Sequence, residues 1–116
     1  MTLTLPVPPS ANRYWRTVHG RPVKSREARA YRGLVWTAVA QQARARAVIV
    51  GDAPVCVTAR WYRGRKSGDL DNRLKVLLDA LKGLAYRDDK QVVELHAYRG
   101  EDRRHPRVEV TIEAAA

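Results

Sequence analysis

The 116 residues carry 22 Lys and Arg against 12 Asp and Glu, a formal charge of +10. That length suits one domain with one core, here residues 1–116, and 45% hydrophobic with 29% charged residues is ordinary globular composition. The single Cys56 excludes an internal disulfide, and no apolar run approaches the roughly 18 to 20 residues of a membrane span.

Such a basic balance points to a polyanionic partner, DNA, RNA or an acidic membrane surface. An arginine bias from a GC-rich genome is the alternative. The N-terminal MTLTLPVPPSANRYW has no basic region followed by an apolar core, so no signal peptide is expected. With one cysteine, this suits a reducing cytoplasm. There is no CxxC and no His/Cys cluster in the sequence to read as a zinc motif. Cys56 lies in PVCVTARW, a strand-like stretch, and reads as a plain packed thiol.

Thr2 to Leu5 alternate as a short strand, and PVPPSAN then breaks regular structure. Strand-like residues on either side of His19-Gly20 predict a hairpin. Ser25 can cap a helix with Arg26, Glu27 and Ala28 in its first turn, and from Ala28 to about Ala47 the apolar Tyr31, Leu34, Val35, Ala38, Val39 and Ala43 fall at helical period. Arg26, Arg29 and Arg32, three apart on its first turns, read as a solvated row or as phosphate contacts. Residues 55–61 alternate as a strand with one core face. The basic loop RGRKSG follows. Leu74, Leu77, Leu78, Leu81 and Leu84 then mark a second helix that stops near Gly83. In the next strand Val93, Leu95 and Ala97 face one way and Glu94, His96 and Tyr98 the other. Val108, Val110 and Ile112 are the inward residues of the last. The segment RGEDRRHP between those two predicts a hairpin. The expected fold is α+β, a single two-layer domain in which two helices cover one face of a mixed sheet.

Five of the 12 carboxylates lie between Asp69 and Asp89: Asp69, Asp71, Asp79, Asp88 and Asp89. Asp71, Lys75 and Asp79 are four apart and share one helix stripe. A loop that doubles back after the helix can bring Asp88 or Asp89 beside the helix start. Gathered carboxylates suit a hard cation with oxygen ligands. In a basic protein, arginines collect a phosphate backbone while a carboxylate-held magnesium acts at the scissile phosphate. The plainer readings stand beside this: Asp69 or Asp71 as a helix cap, Lys75 with Asp79 as an exposed ion pair, Asp88-Asp89 as a solvated turn. Arg13, Arg16, Arg63, Arg65 and Lys66 flank turns near this region and are the candidate phosphate contacts. His19, His96 and His105 are scattered, and Ser10, Ser25 and Ser67 lack a nucleophile-elbow context.

Two segments together carry a resemblance. LPVPPSANRYWR (5–16) ends a strand in a PPSxN turn, and DLDNRLKVLLDALKGLAYRDDKQV (69–92) holds DxDN, a lysine four residues after the second Asp, DAL, and DD before QV. The pair, in this order and spacing, resembles the RusA family of Holliday-junction resolvases over essentially the whole chain. The resemblance implies a homodimeric endodeoxyribonuclease that binds four-way DNA junctions, needs Mg2+ or Mn2+, and makes paired symmetric cuts. It assigns Asp69, Asp71 and Asp89 as metal-binding catalytic carboxylates, Asp88 as a further metal candidate, and Lys75 as the catalytic lysine. Asn72 and Asp79 would support them. The chain departs from the pattern at Gly68, where a basic residue is usual, which bears on the DNA contacts. Trp61, Tyr62, Tyr14 and Trp15 are candidate dimer contacts, with core packing the plainer assignment for Trp61. A non-catalytic basic nucleic-acid-binding protein, or a basic structural protein of a mobile element, is the competing reading.

Overall fold

Strand β1 (Thr2–Leu5) buries Leu3 and Leu5 and leaves Thr2 and Thr4 outside, as its alternation requires. Residues 2–9, 15–43, 52–64 and 70–115 are described by this computed structural model; for Trp15, Arg16, Pro22, Ala43, Asp71 and Asn72 the description is of the backbone alone. Strands β2 (Trp15–Val18) and β3 (Arg21–Lys24) form the expected hairpin. Its two-residue loop places His19 at φ 51 and Gly20 at φ 74. Positive φ at both positions matches the strand twist, and glycine adopts it without a Cβ penalty.

Helix α1 (Arg26–Ala43) starts where Ser25 predicts, with the Ser25 hydroxyl accepting from the Ala28 amide at 3.2 Å. Its buried face is Ala28, Tyr31, Val35 and Val39. Leu34, expected in that stripe, is instead exposed. At 3.6 residues per turn it sits roughly 100° around the helix from the centre of the buried line. The expected extension to Ala47 lies outside the described residues. Helix α2 (Leu70–Leu81) buries Val76, Leu77, Ala80 and Leu81, while Leu74 and Leu78 are half-buried. The stripe is thus rotated toward Val76 and Ala80 from the all-leucine line. Gly83 follows the helix at φ 84, the left-handed conformation that ends helices, and Leu84 is buried beyond it.

The four-stranded sheet has the order β1-β6-β4-β5, with β4 (Val55–Arg63), β5 (Val92–Glu101) and β6 (Arg107–Ala114). β4 pairs with β5 in parallel and with β6 antiparallel, and β1 pairs with β6 antiparallel. The hairpin expected between β5 and β6 does not form, because β4 lies between them. The reason is the α2 crossover, which returns the chain so that β5 runs parallel to β4. The chain must then pass the end of β4 to reach its other side. There the Asp102 amide donates to the Arg63 carbonyl at 3.0 Å. Gly64 passes so close that a Cβ would stand 2.8 Å from Pro106 Cγ.

The buried sheet residues share one face: Leu3 and Leu5, Val55, Val57, Ala59 and Trp61, and Val108, Val110 and Ile112. Both helices therefore pack on one face, and Tyr31, Val35, Leu77, Leu81 and Tyr86 complete the core. The opposite face carries Thr2, Thr111, Glu109, Cys56, Thr58, Arg60, Glu94 and His96 and has no helix over it among the described residues. Among the described residues no helix is long and apolar enough to cross a membrane.

Candidate functional site

The chain folds back after α2, and one tyrosine organises the return. Tyr86 is fully buried, and its hydroxyl donates to the Leu78 carbonyl at 2.6 Å. That carbonyl belongs to the last turn of α2 and also accepts from the Lys82 amide at 3.2 Å. The Gly83 amide donates to the Tyr86 carbonyl at 2.6 Å, which closes the turn. Burial first, then the charges of Asp89 and Asp79, push the Tyr86 phenol well above its usual range. Two carboxylates, one from α2 and one from the segment beyond it, thus act on the same buried hydroxyl.

Asp89 opens a 3-10 turn, Asp89–Gln91, and is exposed. Asp88 caps that turn: its Oδ1 accepts from the Lys90 amide at 3.1 Å. This hydrogen bond, with Lys82 and Lys90 nearby, holds the Asp88 carboxyl below the usual range despite partial desolvation. Asp88 therefore acts as a cap, a role the sequence suggests only for Asp69 or Asp71, while Asp88-Asp89 reads there as a solvated turn or a metal site. Gln91 completes the turn from inside. It is 8% exposed, and its Oε1 accepts from the Arg87 and Asp88 amides at 2.7 and 2.9 Å. Its Nε2 donates to the Ala53 carbonyl at 2.9 Å, just ahead of β4.

On α2, Asp71, Lys75 and Asp79 stand one turn apart. Lys75 is exposed. Asp79 is bound by Lys24 of β3, Nζ to Oδ2 at 2.9 Å, which ties the hairpin to the helix. α2 begins at Leu70, directly after Asp69 in the sequence, and Asp71 and Asn72 lie in its first turn. Asp69, Arg13, Arg65 and Lys66 lie outside the described residues, and so do the side chains of Asp71, Asn72 and Arg16. Arg63 is described, and its side chain is only 11% exposed with Nη2 at 3.2 Å from Glu101. A phosphate contact there would compete with that pair. Trp61, at 3% exposure, is a core residue, which corrects its candidacy as a dimer contact. Tyr62 lies on the open face beneath the Arg107 guanidinium, 4.2 Å from its ring centre.

Three residues that join this region were not legible as such. Arg73 donates to the Pro8 carbonyl and lies 5.5 Å from the Trp61 ring centre, linking the proline turn after β1 to α2. Tyr31 donates to the Pro6 carbonyl at 2.8 Å from α1. The two sequence segments 5–16 and 69–92 are therefore in direct contact. Gln91 had a signal: an Asp followed three residues later by Gln is a capping box.

The sequence model of one family, described as Endodeoxyribonuclease RusA, matches residues 6–113. A Shigella sonnei protein named Crossover junction endodeoxyribonuclease RusA is 38% identical over 114 residues, covering 96% of this chain and 92% of that protein. The chain belongs to the RusA family of endodeoxyribonucleases. An Escherichia coli relative of the same name is 37% identical over 114 residues, with the same coverage. A relative from Enterobacteria phage 82 is 37% identical over 113 residues, 95% of this chain and 91% of that protein. The RusA match spans both segments whose contact is mediated by Arg73.

Proposed function

We propose that this RusA-family protein is a metal-dependent endodeoxyribonuclease that binds four-way DNA junctions and resolves them by paired, symmetric phosphodiester cuts. The observation that carries the reading is the RusA match over residues 6–113, in a protein of charge +10 that nevertheless sets five carboxylates between Asp69 and Asp89. Such a local concentration of carboxylates suits a hard divalent cation, and oxygen donors suit Mg2+ or Mn2+. Asp69, Asp71 and Asp89 would hold it, with Asp88 fixing the turn that presents Asp89. A bound Mg2+ supplies a water of lowered pKa and neutralises charge at the phosphate.

The remaining work falls to the chain. Lys75, exposed one turn beyond Asp71, offers a positive charge to the phosphate oxygens as charge develops. Lys24 holds Asp79 away from Lys75's task while anchoring the hairpin. Asn72 orients a neighbouring carboxylate. Arg13, Arg16, Arg65 and Lys66 grip the DNA backbone without reading bases, while Arg63 stays with Glu101. A two-fold homodimer matches the paired strands of a junction. Exposed Leu34 and Trp36 of α1 and Val93 and Leu95 of β5 are apolar surface of the kind a second copy covers.

A synthetic four-way junction incubated with Mg2+, with Mn2+ and with chelator tests the reading. Metal-dependent nicks at symmetric positions are expected. Asp71→Asn should abolish cleavage and retain junction binding. Cleavage that survives Asp71→Asn refutes the site assignment. Wild-type protein that binds junctions and never cuts them in either metal is instead a binding module.

A further inference from the structure

The open face of the sheet assembles a second set of metal-binding side chains. Cys56 on β4 stands in register with Glu94 on the neighbouring β5, and Thr58 with His96. The ligand atoms of Cys56, Glu94 and His96 all lie within 4.8 Å of one another. His96 Nε2 is already 3.5 Å from Glu94 Oε2. Ligands on a tetrahedral zinc ion, at roughly 2.0–2.3 Å from the metal, stand about 3.3–3.6 Å apart. The remaining gap lies between side chains that are exposed or half-buried, where rotamers can adjust.

A backbone irregularity makes the cluster. Val55 pairs with Val92, yet the next residue, Cys56, pairs with Glu94, so β5 carries one extra residue at Val93. Without that shift Val93, not Glu94, would stand beside the thiol. Such bulges re-aim side chains and recur at functional positions. The surroundings suit a bound cation. Cys56 is flanked across the sheet by Glu94 on one side and Glu113 on the other. Two carboxylates and a thiolate repel one another, and a divalent ion offsets that repulsion once the thiol proton has left to solvent.

We infer that Cys56, Glu94 and His96 form a binding site for a zinc-class transition-metal ion, bridging the parallel pair β4–β5. A sulfur, an imidazole nitrogen and one carboxylate oxygen select Zn2+ or Co2+ over Mg2+. Water fills the fourth position. The site is distinct in chemistry from the all-carboxylate candidate and lies on the sheet face opposite α2.

Untagged, metal-free protein titrated with Co2+ alone tests this. The chain has one cysteine, so a thiolate-to-cobalt charge-transfer band can arise only at Cys56. The expected result is that band, saturating at one thiolate-bound ion per chain, together with tetrahedral visible bands, displacement by Zn2+ and not by Mg2+, and a higher unfolding temperature with stoichiometric Zn2+. Cys56→Ser should abolish the band, and His96→Gln should weaken Zn2+ binding by about tenfold or more. Asp71→Asn should leave all of this unchanged. The inference is overturned if the folded wild-type protein gives no charge-transfer band. It is overturned equally if Zn2+ affinity is the same in Cys56→Ser and His96→Gln as in the wild type.

Discussion

Gln91 shows how one buried amide can control an exposed carboxylate. It satisfies two backbone donors and one backbone acceptor that have no strand or helix partner, and so fixes the turn on which Asp89 stands. Gln91→Ala removes three hydrogen bonds to part-buried backbone groups, each worth about 0.5–1.5 kcal/mol. The expected outcome is a loss of at least about 1 kcal/mol, read as a lower urea midpoint at unchanged slope. Junction cleavage should fall further than junction binding, since the turn presents Asp89 and does not itself grip DNA. Arg73 acts similarly at the other end of α2, holding the proline turn through the Pro8 carbonyl.

The connection from β5 to β6 is the element with the least obvious support, since it crosses the end of β4 without secondary structure of its own. Asp102 organises it. Its Oδ1 accepts from the Arg104 and His105 amides, both at 3.1 Å, and its Oδ2 pairs with Arg107 at 2.8 Å. The Arg107 hydrogen bond, then the His105 amide, hold the Asp102 carboxyl below the usual carboxylate range. A depressed folded-state pKa contributes stability that is fully present above the unfolded value of about 3.9 and is lost as pH falls below it. Asp102→Asn should therefore be less stable than the wild type at neutral pH, and the two should converge as pH drops below about 4. Thermal unfolding of both proteins across that range checks it.

At the scale of the molecule, the helices take one face of the sheet and leave the other polar. The described cations include exposed Arg21 on the hairpin, Arg26 and Arg29 on α1, and Arg103 and Arg104 beyond β5. Arg32, the third of its row, is instead committed to the Lys82 carbonyl at the end of α2. Binding that rests on phosphate contacts releases counterions, so junction affinity should fall steeply with salt. With six contacts the loss is roughly a thousandfold between 50 and 200 mM. Fluorescence anisotropy over a salt series gives the slope, and a flat slope would show that base or shape contacts dominate.

The sequence by itself determined what local pattern can determine. The hairpin at His19-Gly20, the Ser25 cap, the extent of α2 and the inward faces of β4 and β6 all follow from periodicity and backbone preference among neighbours. It also carried the family motifs, because their residues sit within two short segments. Tertiary structure decided the rest, because it depends on pairing between distant strands. The hairpin expected of β5 and β6 gave way to β4 between them, since a parallel crossover leaves that central slot to the earlier strand. Cys56, read as a packed thiol with no zinc motif near it, lies on the open face beside Glu94 and His96. Those partners stand far along the chain, and only strand register brings them together. The same holds for Tyr86, whose hydroxyl meets the charges of Asp79 and Asp89 once the chain after α2 has turned back.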